Sequence, residues 1–124
     1  MVDNVIMENV KIATRKFAGR GPSRYVDVSL DKSTALALIN KGWDVWSNVE
    51  SQLRVYIDFD MYPSTVIFLV TEKGKTKIDL DTLPVLSEVE FDNVDLCIKP
   101  YKFKEGSETG TKACVSSLYV TIRE

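Results

Sequence analysis

The chain has 124 residues, of which 44% are hydrophobic and 27% charged, and its net charge is −2. That balance excludes a disordered polyelectrolyte and predicts one domain over residues 1–124 built on one core. It also excludes a protein coated in positive charge, but not a local basic groove, because affinity for phosphates follows local charge.

Histidine is absent, which removes the commonest general base and the commonest metal ligand together. The two cysteines, Cys97 and Cys114, form no C-x-x-C pair. They are expected to be free and buried. The start, Met1-Val2-Asp3-Asn4, has neither the basic nor the long apolar region of a signal peptide. No apolar run approaches membrane-spanning length. The expectation is an intracellular protein in a reducing compartment.

Residues 5–17 read as one long strand, with Val10 and Ile12 on one face and Lys11, Ala13, Arg15 and Phe17 on the other. Residues 18–23 form a loop by their glycines and proline. From Lys11 to Tyr25 there are five basic residues, Lys11, Arg15, Lys16, Arg20 and Arg24, and no acidic one. Residues 25–30 alternate, with Val26, Val28 and Leu30 inward and Tyr25, Asp27 and Ser29 outward. Asp31 is a good N-cap for a short helix over 32–41, and Gly42 is its stop.

Trp43-Asp44-Val45-Trp46 reads as a short strand whose indoles anchor a core edge. Residues 53–59 predict a strand with Leu53, Val55, Ile57 and Phe59 inward and Arg54, Tyr56 and Asp58 outward. Residues 65–71 are nearly all apolar and predict a central strand, returned by a turn at Gly74 into 76–80. Residues 81–91 predict a short helix capped by Asp81, with Pro84 in its first turn. The runs 94–104 and 111–122, joined by a glycine-bounded loop, predict a β-hairpin. Many short strands with turns between them indicate an all-β barrel or sandwich with minor helices.

No catalytic apparatus emerges. Gly19-Arg20-Gly21-Pro22 has glycines, but the proline removes a backbone donor and no strand-to-helix context follows. Serine and cysteine lack a histidine to activate them. The carboxylates Asp58 with Asp60, Asp79 with Asp81, and Glu88, Glu90, Asp92 and Asp95 read as solvated charges near turns. The chain is expected not to be an enzyme and to use no cofactor.

The outward face is richer. It offers Lys11, Arg15 and Phe17, then Tyr25, then Arg54 and Tyr56, then Lys99, Tyr101 and Phe103, with Ser117 and Tyr119 on the return. Bases stack on aromatic rings while lysine and arginine follow the phosphates, so this pattern points to single-stranded nucleic acid. The other reading places the same aromatics under a helix or in a protein interface. Pro100 interrupts the hairpin's donors, and a bulge there would exchange Tyr101 and Phe103 with Lys102 and Lys104.

Several phrases resemble a known family. They are Glu8-Asn9-Val10, Arg15-Lys16-Phe17-Ala18-Gly19-Arg20, Gly42-Trp43-Asp44-Val45, Asn93-Val94-Asp95-Leu96-Cys97-Ile98-Lys99-Pro100-Tyr101 and Lys112-Ala113-Cys114-Val115-Ser116-Ser117-Leu118-Tyr119-Val120. Together they resemble small bacteriophage single-stranded DNA-binding proteins of the OB-fold kind, over residues 5–122. The resemblance implies an OB-like five-stranded Greek-key barrel with one or two short helices. It also implies largely sequence-independent binding in phage DNA replication or recombination, in the cytoplasm of the infected bacterium. Further partners implied are a second copy of the chain and other replication or recombination proteins, with no membrane. Two departures stand out. The chain stops at Thr121-Ile122-Arg123-Glu124, without the acidic tail common in bacterial counterparts. The helix at 32–41 precedes the usual helix position, which 81–91 fits better.

The residues expected to contact phosphates are Lys11, Arg15, Lys16, Arg20, Arg24, Arg54, Lys99, Lys102 and Lys104; those expected to stack bases are Phe17, Tyr25, Tyr56, Tyr101 and Phe103. The alternative function is a phage structural or interaction module using this aromatic face against protein.

Overall fold

The computed structural model describes residues 3–18, 24–47, 51–59, 64–101 and 111–122. The long first run is broken into β1 (Val5–Met7) and β2 (Lys11–Lys16). Asn9 between them has φ 50°, a left-handed conformation that asparagine tolerates. Its backbone N–H donates to the Asp95 carboxylate at 3.0 Å, and the Val10 N–H donates to the Val94 carbonyl at 2.9 Å. The kink lets one run serve two neighbours.

β2 pairs antiparallel with β3 (Tyr25–Leu30), and the register slips between Ile12 and Thr14. Ala13 is the extra residue. Lys11, Thr14 and Lys16 therefore lie opposite Ser29, Asp27 and Tyr25, while Ile12 and Arg15 lie opposite the buried Val28 and Val26. A bulge of one residue inverts the alternation downstream of it. Arg15 and Phe17 thus change faces relative to the sequence reading.

α1 (Lys32–Asn40) starts as expected, with the Thr34 N–H donating to the Asp31 carboxylate at 2.6 Å. It ends in a Schellman motif: Gly42 has φ 96°, its N–H donates to the Ile39 carbonyl, and the Trp43 N–H donates to the Leu38 carbonyl. Ala35 and Leu38 are buried, whereas Leu36 and Ile39 stay exposed. Trp43 is buried, as expected of a core anchor, and bridges to Thr111. β4 (Trp46–Ser47) then pairs with β5 (Ser51–Tyr56).

β5 runs antiparallel to β3 and parallel to β9 (Lys112–Ile122). β6 (Val66–Thr71) also runs parallel to β9, further along it, and forms a hairpin with β7 (Gly74–Ile78). The expected helix at 81–91 is instead a 3-10 helix, Leu83–Ser87. Its approach is fixed by Asp79 rather than Asp81, whose carboxylate accepts from the Thr82 N–H at 3.0 Å. Pro84 sits in its first turn.

β8 (Phe91–Tyr101) and β9 form the expected hairpin. Pairing runs regularly through Pro100, opposite Ala113, to Tyr101, opposite Lys112. The face-switching bulges lie elsewhere, at Ser116, between the pairs Ile98–Val115 and Cys97–Ser117, and at Asp92, between the pairs Phe91–Ile122 and Asn93–Thr121. The sheet order is β1-β8-β9-β5-β3-β2, with β4, β6 and β7 attached to the side. Among the described residues the protein is all-β with one α-helix. The described residues give nine strands rather than five, in an open sheet with no ladder between β1 and β2. Val26, Val28, Leu53, Val55, Ile67, Leu96, Ile98, Val115, Leu118 and Val120 fill one face as the core, closed by Leu83 and Leu86. No helix of the described residues is long and apolar enough to cross a membrane.

Candidate nucleic-acid interface

The other face carries the chemistry. Cross-strand partners share a face, and the ladders align one row across five strands: Lys16, Tyr25, Tyr56, Cys114 and Lys99. The Tyr25 and Tyr56 rings meet edge to face, with centroids 6.4 Å apart and planes at 67°. The Arg54 guanidinium lies over Tyr25 at 3.9 Å from the ring centroid. Its Nε and Nη2 donate to the two Asp27 carboxylate oxygens at 2.9 and 3.2 Å. Those bonds to Asp27 raise the Arg54 pKa above its ordinary value. Asp27 is buried beneath this assembly. The two-point grip fixes the guanidinium plane, and the guanidinium holds one face of Tyr25 by cation–π attraction.

Further along the row, Cys114 is wholly buried, and burial pushes its thiol up to about 11. It is a neutral floor, not a reactive thiolate. Cys97 and Cys114 are both free thiols, with Cys97 half-buried. Lys99 is half-buried and its Nζ reaches the Thr65 hydroxyl at 3.4 Å. Thr65 in turn donates to the Val115 carbonyl at 2.9 Å. Lys112 pairs with Asp44 at 3.3 Å. Among the described residues, no group of three or more acidic or cysteine side chains is arranged to hold a metal ion.

A family model described as "Putative phage ssDNA-binding domain" matches residues 1–124. The chain belongs to this phage single-stranded DNA-binding family. No curated protein and no solved structure matches it. The family name gives single-stranded DNA as the ligand, and the row of tyrosines and lysines has the composition such a ligand requires.

The structure distributes the sequence-predicted residues of this family member unevenly. Lys16, Tyr25, Arg54, Tyr56 and Lys99 come together on one face. Lys11 is exposed but stands at the far end of β2, opposite Ser29. Phe17 is corrected: it is 1% exposed and packs edge to face on Phe91 at 6.5 Å, so it offers no open platform for a base. Arg15 is corrected with it. Its Nη1 donates to the carbonyls of Leu86 and Val89 at 3.2 and 2.7 Å, and its guanidinium lies 4.3 Å from the Phe91 centroid. It staples the 3-10 helix to the sheet. Arg24 is buried, 7% exposed, rather than displayed. Tyr101 is placed by its register with Lys112. Arg20, Lys102, Phe103 and Lys104 lie outside the described residues.

One cluster was not legible beforehand. Phe68 stacks on Tyr119 with centroids 5.3 Å apart and planes at 16°. The Lys75 Nζ lies 5.5 Å from the Phe68 centroid and 5.7 Å from that of Tyr119. Lys77 is the ladder partner of Phe68. The sequence signal was the alternation of Lys75 and Lys77 in the returning strand, but the apolar run 65–71 gave no face to Phe68.

Proposed function

We propose that this chain binds single-stranded DNA, with little sequence preference, across the outer face of β3 and β5, and serves phage DNA replication or recombination without catalysing a reaction. The observation that carries the reading is the Tyr25–Tyr56 pair, held by Arg54 and flanked in register by Lys16 and Lys99. Bases stack on such rings at roughly 1–3 kcal/mol each whatever their identity, and the lysines meet the phosphates.

The strand path supports an OB-like reading. Taking β1 and β2 as one kinked first strand, β3, β5, β8 and β9 follow as second to fifth. β8 returns beside β1, and β9 lies between β8 and β5. In OB-folds the second and third strands and the loops 1–2 and 4–5 bind oligonucleotides. Here those strands are β3 and β5. The corresponding connections contain Arg20, and Lys102, Phe103 and Lys104. Both connections leave from the end of the sheet where Lys16 pairs with Tyr25 and Tyr101 pairs with Lys112. A second copy of the chain and other replication or recombination proteins are its proposed further partners, in the host cytoplasm.

Titration with oligothymidine, followed by intrinsic fluorescence at several salt concentrations, tests the proposal. Quenching with micromolar or tighter affinity that weakens steeply with salt is expected. A mixed-sequence strand of equal length should bind within about threefold, since stacking is sequence-tolerant. No response at low salt would overturn the reading and leave the aromatic face to a protein partner.

A further inference from the structure

The sheet carries a second cluster of rings and lysines that the β3–β5 surface does not absorb. Along β9 the positions on this side of the sheet are the buried Cys114, then, past the bulge at Ser116, Ser117, Tyr119 and Thr121. Cys114 adjoins Tyr56, and Tyr119 adjoins Phe68. The two aromatic pairs therefore lie on the same face of the sheet, separated along β9 by five residues, or roughly 15 Å at strand rise. At the second pair, Phe68 and Tyr119 are half-buried and stacked, and the Lys75 ammonium lies near both rings. Lys75 and Lys77 are exposed, and among the described residues neither has a carboxylate within ion-pair distance. The nearest acid in register is Asp95, opposite Tyr119, and it accepts the Asn9 N–H.

We propose that Phe68, Tyr119, Lys75 and Lys77 form a second subsite for the same single strand, which leaves Tyr25 and Tyr56 and follows β9 to the β6–β7 hairpin. The inference rests on the proposed function above. The physical ground is that two exposed, unneutralised ammonium groups sit beside a ring pair on a face already lined with tyrosines. A strand anchored on the first pair meets both its requirements, base platform and counter-charge, again at the second. The hairpin therefore lengthens the footprint instead of setting its position.

The test compares the full chain with the double variant Lys75→Gln, Lys77→Gln, which changes only exposed side chains. Oligothymidines of two lengths are titrated, about 5 and about 15 nucleotides, near the two ends of the range that one such barrel occupies. For the longer strand the dependence of log K on log salt should become shallower by about 1.4, giving roughly tenfold weaker binding at about 0.2 M salt. For the shorter strand, affinity should be unchanged. An unchanged slope on the longer strand overturns the subsite. An equal loss on both lengths also overturns it, because that marks a general loss of charge. If the unaltered chain binds neither strand, the proposed function fails first, which separates the two failures.

Discussion

Arg54 and Tyr25 act as one unit: the guanidinium rests 3.9 Å from the ring centroid while Asp27 grips it from below. The half-buried ring is thus oriented from the buried carboxylate outward. Arg54→Lys keeps the charge but loses the two-point grip. It should weaken oligothymidine binding severalfold although Arg54 need not touch DNA. Arg54→Ala strands the buried Asp27 as well and should cost about 1–3 kcal/mol of stability. Urea midpoints and fluorescence titrations of the two variants check this.

Phe17 separates stability from binding. Its ring is buried against Phe91, so Phe17→Ala should cost about 3–5 kcal/mol. The milder Phe17→Leu should lower the urea midpoint but leave affinity for oligothymidine within about twofold, as expected for a side chain no base stacks on. A large loss of affinity in Phe17→Leu, with stability intact, would show the ring to be a DNA platform after all.

Two exposed carboxylates set an acid limit. Hydrogen bonds from Thr34 hold Asp31, and those from Thr82 hold Asp79, below the ordinary value of 3.8. A folded-state pKa below the unfolded one means the stabilisation is present above about 3.8 and disappears as pH falls through the folded value. The variant Asp31→Ala, Asp79→Ala should melt below the unaltered chain at neutral pH. The gap should close in acid. A gap that stays constant with pH would refute the hydrogen-bonding role of both carboxylates.

The thiols should behave unequally. Cys114 is wholly buried with its pKa near 11, whereas Cys97 is half-buried. At pH about 8 a thiol reagent should modify Cys97 in the native protein and reach Cys114 only in denaturant. Mass spectrometry of alkylated peptides reads the two sites directly.

The legible parts were those coded locally. The cap at Asp31, the stop at Gly42, the alternation of β3 and the β8–β9 hairpin each depend on residues a few positions apart. The row across the sheet was legible in composition because Tyr25, Arg54, Tyr56 and Lys99 follow simple alternation between bulges. Ala13 defeated the reading of Arg15 and Phe17, since a bulge on alanine has no side-chain signature and moves everything after it to the opposite face. Pro100 misled in the other direction. It looked like the parity switch, but the ladder passes through it and the slip falls at Ser116. Phe68 was hidden because a strand apolar on both faces carries no alternation to read.

β9 lies beside β8, β5 and β6, yet it follows all of them in the chain. A nascent chain on the ribosome therefore carries β6, and the Val55–Tyr56 end of β5, with no neighbour on that side until β9 emerges. Pairings so distant in sequence form late, because a long loop must close before they are rewarded. Folding of the central sheet must wait until β9 has been synthesised, and during that interval the apolar run of β6 is the segment most in need of shielding from other chains.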